Sequence, residues 1–230
     1  GELGDALRQL LQLRYQLLPA WYTAFWQSSV NGQPVLKPQG LVFPHDEQGF
    51  SIDDQYFLGD TGLLVKPPTH KGATSIDVYL SDDQVYYHFF SHEAYHGPQR
   101  RITVPAPLSH EVPLLLRGGS ILPMRMRHRR AAELQRLDPF TLYVAVSKDQ
   151  RAEGQLYMDD GQTFAYRDAS AFIARRFILA PEGTALRLRA SALRERDVLV
   201  SSSSDAVYQQ PDNAFELSLI HISEPTRLGM

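Results

Sequence analysis

The sequence contains no cysteine, so it encodes no disulfide framework and does not indicate a redox compartment. It also has no long apolar run. The longest runs, such as Val112–Leu116, are far shorter than the roughly 20 residues that a membrane-spanning helix needs. The formal net charge is only −3, which provides no general attraction to nucleic acid or to an acidic membrane. With 43% hydrophobic and 21% charged residues, the composition is that of an ordinary globular protein.

The first 32 residues predict a helix. Apolar residues recur there at spacings of three and four, which is the pattern of one buried helical face. These residues are Leu7, Leu10, Leu11, Tyr15, Leu18, Trp21, Tyr22 and Phe25. Pro19 falls inside the pattern and should kink or divide the helix, because its ring removes a backbone donor and crowds the preceding turn. Asn31-Gly32 predicts the end of the helix, and the acidic residues near Gly1 are unlike a signal peptide.

The next segment predicts a strand, a short helix and a second strand. Pro34–Val42 forms the first strand, a helical turn passes through Tyr56 and Leu58, and Leu63–Lys66 forms the second strand. This order is what the end of a (β/α)8 barrel would show, and an isolated α/β unit fits equally well.

From about Lys66 onward, short β segments at regular spacing predict β-sandwich domains. The first group of predicted strands is Ser75–Leu80, Gln84–Phe89, Arg101–Val104, Val112–Leu116 and Ser120–Leu122. The second group is Phe140–Val146, Ala152–Met158, Ala171–Leu179 and Thr184–Ala190. A basic linker, Arg125–Arg136, joins the groups, and Asp160-Gly161 predicts a hairpin within the second.

His92-Glu93-Ala94-Tyr95-His96 matches the pattern H-E-x-x-H. On a helix, that spacing places two imidazoles on one face to bind zinc, with the glutamate activating a bound water. Here strand-like aromatic residues precede the motif and Gly97-Pro98 follows it, so at most one helical turn is available. The surroundings favour a loop at the edge of the sandwich, and a zinc hydrolase is the weaker alternative.

Four pairs of adjacent acidic residues are candidates for glycosidase chemistry, which needs two carboxylates. They are Asp46-Glu47, Asp53-Asp54, Asp82-Asp83 and Asp159-Asp160. Neighbouring residues on a strand point to opposite faces, so adjacency alone does not build such a site. Asp82-Asp83 and Asp159-Asp160 are typical of turns, and Asp53-Asp54 is typical of a helix N-cap. A structural role is the expectation for all four pairs.

The run Arg125-Met126-Arg127-His128-Arg129-Arg130 resembles a phosphate-binding patch only in its charge. It lacks interleaved aromatic residues, so a solvated linker or a contact with an acidic neighbouring domain is favoured over nucleic acid. Gly118-Gly119 is not followed by a helical pattern, which makes it a turn and not a phosphate cradle.

Several short segments, in this order and spacing, resemble the C-terminal region of glycoside hydrolase family 31, the retaining α-glucosidases. They are Arg14-Tyr15, Leu17-Leu18-Pro19, Trp21-Tyr22, Asn31–Val35, Asp53–Tyr56, Leu58-Gly59-Asp60, Tyr95–Gln99, Arg117-Gly118-Gly119 and Asp159-Asp160-Gly161. The resemblance covers about residues 5 to 200 and is greatest to the branch of the family that trims glucose from N-linked glycans.

The resemblance implies a mainly β fold: the end of a (β/α)8 barrel followed by two β-sandwich domains, proximal and distal. The expected divisions are 1–65 for the barrel end, 66–136 for the proximal domain and 137–216 for an incomplete distal domain. The family's W-x-D-M type segment with its aspartate nucleophile does not occur here, nor does the segment of its acid/base aspartate. The chain is therefore expected to be a fragment with no catalytic residue, no metal site and no cofactor.

For the parent protein, the resemblance implies removal of terminal α-linked glucose from N-glycans. It also implies a location in the endoplasmic reticulum lumen and a non-catalytic β subunit as a possible partner, with no nucleic acid and no membrane span. The rival from a different class is a stand-alone carbohydrate-binding β module, which would bind glycans without any missing barrel.

Two departures from the family pattern lie near the predicted barrel end. Family members usually read M-R-P-L-W where this chain has Leu36-Lys37-Pro38-Gln39-Gly40. Thr61-Gly62 replaces a single small residue before Leu63. Lysine lacks the planar two-point fork of arginine, and Gly40 removes a large aromatic side chain.

The last residues break the β pattern. Leu217–Arg227, LSLIHISEPTR, matches the translation of a transposase adapter used in sequencing libraries. We expect 217–230 to be an artefactual tail, so His221, Glu224 and Arg227 carry no functional argument.

Overall fold

The computed structural model describes residues 1–107, 112–193 and 215–220, and it is mainly β. Four α-helices are present in these ranges: α1 Glu2–Gln16, α2 Leu18–Asn31, α3 Gln39–Val42 and α4 Ala165–Asp168. The first strands are β1 Leu36–Pro38, β2 Tyr56–Leu58, β3 Leu63–Val65, β4 Ser75–Leu80, β5 Val85–His88, β6 Ala94–His96 and β7 Arg100–Pro105. The later strands are β8 Leu114–Arg117, β9 Ser120–Met124, β10 Phe140–Ala145, β11 Ala152–Met158, β12 Ile173–Glu182, β13 Ala185–Ala192 and β14 Phe215–Ile220. No described helix is long and apolar enough to cross a membrane.

Pro19 divides the N-terminal helical region into α1 and α2, as predicted. It occupies the first turn of α2, where a missing N–H is tolerated because that donor has no partner within the helix. The second helix ends at Gly32, which has φ 72° and donates its N–H to the Ser28 carbonyl. A left-handed residue at this position favours glycine, because a Cβ would be strained there.

The strands form two six-stranded sheets and one two-stranded sheet. The first sheet has the order β1-β2-β3-β8-β5-β6, and the second has the order β13-β12-β11-β9-β10-β14. Strands β4 and β7 pair with each other. The β9–β11 and β10–β14 neighbours are parallel, and the other pairings are antiparallel.

Strand β9 joins the two main hydrophobic cores. Ile121 packs in the core with β10, β11 and β12, whereas Leu122 and Met124 pack in the core with α2, β5 and β8. Successive side chains of a strand point to opposite faces, so a strand buried on both faces can belong to two cores. The Gly118-Gly119 turn connects β9 directly to β8 of the first sheet.

The predicted strands of both groups are present with small shifts at their ends. Ser75–Leu80 and Ala152–Met158 match β4 and β11 at both ends. The predicted turn at Asp82-Asp83 lies between β4 and β5, and Leu63–Lys66 contains β3.

Several local predictions are wrong. Tyr56 and Leu58 belong to strand β2 and not to a helical turn, because β2 pairs with β1 on one side and β3 on the other. Asp53-Asp54 therefore caps no helix. The strand predicted over Pro34–Val42 is limited to β1, and helix α3 follows it. The hairpin predicted at Asp160-Gly161 is confirmed, because β11 and β12 pair antiparallel, but its connection is long: it spans residues 159–172 and includes α4.

Strand β3 pairs with β8, with Leu64 opposite Leu115. Residues of the segment predicted to end the barrel thus share a sheet with strands of the predicted proximal domain. At the other end of the chain, β14 includes the first residues of the predicted tail, and residues 221–230 lie outside the described ranges.

Candidate functional site

The H-E-x-x-H motif spans a turn and a strand, so its histidines do not share a helical face. His92 lies in the turn after β5 with φ 60°, whereas His96 ends β6 opposite Val85. Glu93 accepts a hydrogen bond from the Tyr95 hydroxyl at 2.9 Å. Within residues 1–107 and 112–193, no group of three or more His, Asp or Glu side chains is placed to hold a metal ion. This geometry does not support a zinc hydrolase.

The adjacent acidic pairs each have structural partners. Asp82 binds Arg117 and accepts from Tyr86, and Asp83 forms an ion pair with Lys148. In the other pairs, Asp54 forms an ion pair with Lys66, and Asp46 accepts a hydrogen bond from the Tyr79 hydroxyl at 3.1 Å. Asp160 is held by Thr163 and two backbone amides, which lower its pKa to about 2.

Asp159 lies at the junction between α2 and β11. Its Oδ1 accepts hydrogen bonds from the Tyr22 hydroxyl at 2.6 Å and the Gly161 amide at 2.8 Å. Its Oδ2 accepts from the Tyr157 hydroxyl at 3.0 Å. The Trp26 ring stacks on the Tyr157 ring, with centroids 4.7 Å apart and planes 7° apart. We call these four side chains (Tyr22, Trp26, Tyr157 and Asp159) the aromatic latch, because they join α2 to the second sheet.

Burial and the neighbouring Asp159 carboxylate raise the pKa of Tyr22 and Tyr157 well above the usual value for tyrosine. Burial and the hydrogen bond to Asp46 raise the pKa of Tyr79 to about 12. The fold therefore favours the protonated hydroxyls, while the unfolded chain loses these protons near pH 10. Since the unfolded state binds fewer protons above that pH, stability should fall as the pH rises further.

We therefore expect the free energy of unfolding to decrease from about pH 10 upward, through the pKa of about 12 that Tyr79 has in the fold. Urea titrations at several pH values measure it directly. The substitution Tyr22→Phe should make the loss shallower, because it removes one of the titrating groups. A free energy of unfolding that stays constant above pH 10 would contradict this assignment.

Neighbouring residues compensate for the differences from the family pattern at Lys37, Gly40 and Thr61. Lys37 Nζ lies 2.5 Å from Asp60 Oδ1, and the lysine side chain is 11% exposed, so a cation is retained through a single contact. A Cβ at Gly40 would lie 2.6 Å from Cδ1 of Phe50, so the Phe50 ring occupies the space that a larger residue would need. The Thr61 hydroxyl donates a hydrogen bond to the Leu58 carbonyl at 2.6 Å, which stabilises the turn before β3.

The basic linker is ordered by an ion pair. Arg129 binds Asp138 through two nitrogens, at 2.8 and 2.5 Å, and Arg127 lies 3.7 Å from the same carboxylate. The hydrogen bond from Arg129 lowers the pKa of Asp138, which is itself buried. The linker side chains from Arg127 to Arg130 are exposed, as the solvated-linker interpretation predicted. The sequence did not reveal that Asp138 binds two of these arginines.

The N-terminal helices present a large apolar surface to solvent. The exposed fractions are 53% for Leu7, 54% for Leu11, 43% for Tyr22 and 58% for Phe25. We call these four residues the exposed helix face. They belong to the apolar helix face that the sequence identified, and none of the four is buried in this chain.

The helix side that packs on the sheets is lined by small residues. Ala6, Ala20 and Ala24 are buried, and a Cβ at Gly59 would lie only 2.8 Å from the Cβ of Ala24. Small side chains let helix and sheet backbones approach closely there. Leu17 and Trp26 also pack on this side, whereas Leu7, Leu11 and Phe25 are exposed on the outer side. A cavity of about 450 Å³ opens beside that outer side, lined by Leu18, Trp21, Tyr22 and Phe25 of α2 and by linker residues including Arg136. The exposed apolar side chains and the adjoining cavity are typical of a surface that packs against another apolar surface.

Comparisons with known proteins show which family this chain resembles. A family model described as the Glycosyl hydrolase family 31 C-terminal domain matches residues 32–122. The glucosidase 2 subunit alpha of Schizosaccharomyces pombe is 54% identical over 172 residues, covering 74% of this chain and 18% of that relative. The human neutral alpha-glucosidase AB is 40% identical over 214 residues, covering 93% of this chain and 20% of that relative.

Solved structures give the same result. A crystal structure of a glucosidase II alpha subunit bound to alpha3-Glc2 matches with a TM-score of 0.77 and 39% identity, over 86% of this chain and 20% of the other. A complex of ER glucosidase II, consisting of the catalytic subunit and the binding domain of the regulatory subunit, matches with a TM-score of 0.73 and 42% identity. That match covers 79% of this chain and 19% of the other. The chain therefore spans about a fifth of the length of the relatives it matches.

Proposed function

The chain belongs to glycoside hydrolase family 31, to its C-terminal part, and we propose that it is the non-catalytic C-terminal segment of a retaining α-glucosidase. The observation that carries this proposal is the exposed helix face. Solvent-exposed apolar patches of this kind mark interaction surfaces. The chain spans only about a fifth of its relatives' length. In the proposed parent enzyme, the remaining polypeptide would cover the exposed helix face.

In the proposed parent enzyme, the catalytic aspartates come from the barrel and not from this chain. A retaining glycosidase holds two carboxyl groups roughly 5 Å apart, one as nucleophile and one as acid/base, and passes through a covalent glycosyl-enzyme. That chemistry needs neither a metal nor an organic cofactor. In each acidic pair of this chain at least one carboxylate has a structural partner, which fits a supporting role.

We propose that residues 1–65 close the barrel, that 66–136 form the proximal domain and that 137–216 belong to the distal domain. The aromatic latch would then fasten the barrel end to the distal domain, because Tyr22 lies in the first segment and Asp159 in the third. Residues 217–230 are proposed to be artefactual.

The relatives suggest a substrate, a partner and a location. We propose that the parent enzyme removes terminal α-linked glucose from N-glycans in the endoplasmic reticulum lumen, in complex with a non-catalytic β subunit. The similarity to the ER glucosidase II complex, which contains a binding domain of a regulatory subunit, supports the last two points. A stand-alone carbohydrate-binding module receives no support from these relatives.

The substitution Phe25→Asp tests the proposed role of the exposed helix face. In the isolated chain it should raise solubility without lowering the unfolding midpoint, because Phe25 is 58% exposed there. In the parent enzyme it should instead lower the yield of folded, active protein at least about tenfold, because a charge would be buried at the docking surface.

The matched control is Leu134→Asp, since Leu134 is 59% exposed but lies in the linker. It should leave the parent's α-glucosidase activity close to that of the original protein. Equal loss of activity with both substitutions, or no loss with Phe25→Asp, would contradict docking through this face.

A further inference from the structure

The connection between β9 and β10 is long and basic. It spans residues 125–139, although β9 and β10 are antiparallel neighbours that a short turn would suffice to join. Its second half contains a 3-10 helix, Ala132–Gln135. Its first half, residues 125–131, is neither helix nor strand, and Arg127, His128, Arg129 and Arg130 are all exposed.

We propose that Arg127–Arg130 is a processing site, at which an endoprotease specific for paired arginines hydrolyses the Arg130–Ala131 bond. Water adds across this amide, leaving a carboxylate on Arg130 and an amine on Ala131. Such an endoprotease has acidic subsites that bind arginine side chains. One subsite binds the residue directly before the cleaved bond, and two others bind the second and the fourth residue before that bond. Arg130, Arg129 and Arg127 occupy these positions. Ala131 already has an extended backbone, with φ −144° and ψ 151°, which is the conformation that such enzymes bind.

The rest of the chain shows why this pair of arginines differs from the others. The sequence contains three Arg-Arg pairs, at 100–101, 129–130 and 175–176. Arg100 and Arg101 are held in β7 by pairing with β4. Arg175 and Arg176 lie in β12, which is paired on both sides with β11 and β13. Cleavage at either pair requires a strand to open, whereas the connection needs no strand to separate.

Asp138 controls access to the site. In the intact fold its carboxylate binds the guanidinium of Arg129 and attracts that of Arg127. A protease must withdraw both side chains from Asp138 before its own acidic subsites can bind them. Removing this carboxylate should therefore accelerate cleavage.

The two products are expected to remain together. Strand β9 keeps its pairing with β10 and β11, and the latch bond from Tyr22 to Asp159 joins the two pieces. Arg125 also binds the Arg136 carbonyl across the cut. Cleavage would thus break the chain in the exposed connection between β9 and β10 while the rest of the fold stays intact.

Exposing the full chain to a purified subtilisin-like endoprotease specific for paired arginines tests the proposal, with cleavage positions read by mass spectrometry. We expect the cut after Arg130 to be at least about 100-fold faster than cuts after Arg101 or Arg176. Residues 1–130 and 131–230 should then elute together in native size-exclusion chromatography. The variant Arg130→Gln should not be cut at this position. A first cut at either strand pair, resistance of the folded chain at all three pairs, or separation of the products would overturn the proposal.

The variant Asp138→Asn tests the control of access. It should be cut after Arg130 about fivefold faster than the original chain, since the arginine side chains of these ion pairs are 41% and 57% exposed and screened by solvent. Asp83→Asn is the matched control, because it removes a different ion pair, to Lys148, away from the connection. An unchanged rate for Asp138→Asn, or equal acceleration in both variants, would contradict a role for Asp138.

Discussion

Replacing Gly154 with valine is expected to lower the free energy of unfolding by about 4 kcal/mol or more. Gly154 lies in β11 beside β9, at the place where the second sheet meets both hydrophobic cores. A Cβ there would overlap the carbonyl oxygen of Ile121 and lie 2.8 Å from the Cβ of Ile121. The neighbours are backbone and a fully buried side chain, so neither can move aside without disturbing β9. Chemical denaturation followed by circular dichroism measures the loss.

The control for Gly154 is Gly4→Ala. Gly4 lies in helix α1, and a Cβ there would meet nothing within 4 Å. This substitution should stabilise the chain by about 0.5 kcal/mol, because glycine costs more conformational entropy than alanine in a helix. Similar unfolding midpoints for Gly154→Val and the original chain would mean that β9 and β11 do not approach as closely as described.

Replacing Asp159 with alanine is expected to cost about 3 kcal/mol. The substitution removes the acceptor for the hydroxyls of Tyr22 and Tyr157 and for the Gly161 amide. Asp159 is 8% exposed and Tyr157 is 4% exposed, so water does not readily replace the lost acceptor. The expected loss exceeds that of one ordinary hydrogen bond, because three hydrogen bonds are removed and the buried Tyr157 hydroxyl loses its acceptor.

A double-mutant cycle that combines Asp159→Ala with Tyr22→Phe measures the interaction energy between these two residues, apart from the other effects of removing Asp159. If the two residues act together, the double variant should be less destabilised than the sum of the single variants. Asp160→Ala is the neighbouring control and should cost less than Asp159→Ala, because Asp160 is only half-buried and its hydrogen bonds lie within its own turn. Strict additivity of Asp159→Ala and Tyr22→Phe would contradict the latch.

Features with a local physical cause could be predicted from the sequence. Pro19 divides the helices and Gly32 ends α2, because backbone chemistry alone decides both. The regular spacing of short β segments located β4 and β11 accurately. The same kind of reasoning failed at Tyr56–Leu58, where pairing with β1 and β3 outweighs the local preference.

The site depended on contacts that the sequence could not reveal. Asp159-Asp160-Gly161 reads as an ordinary turn, and the partner that gives Asp159 its role is Tyr22, 137 residues earlier. The helical period identified the apolar face of α1 and α2, but not that Ala20 and Ala24 would occupy the side packed on the sheets. One weak signal for this arrangement was present, namely small residues repeated at helical spacing opposite the large ones.

A long read of the native transcript tests the central claim most directly. The claim is that this chain is the non-catalytic C-terminal part of a family 31 α-glucosidase. We predict a continuous reading frame that extends upstream of Gly1 through a barrel with the family's two catalytic aspartates, and that continues after Glu216 with β sequence in place of LSLIHISEPTR. A frame that begins near Gly1 and ends in that tail would contradict the claim.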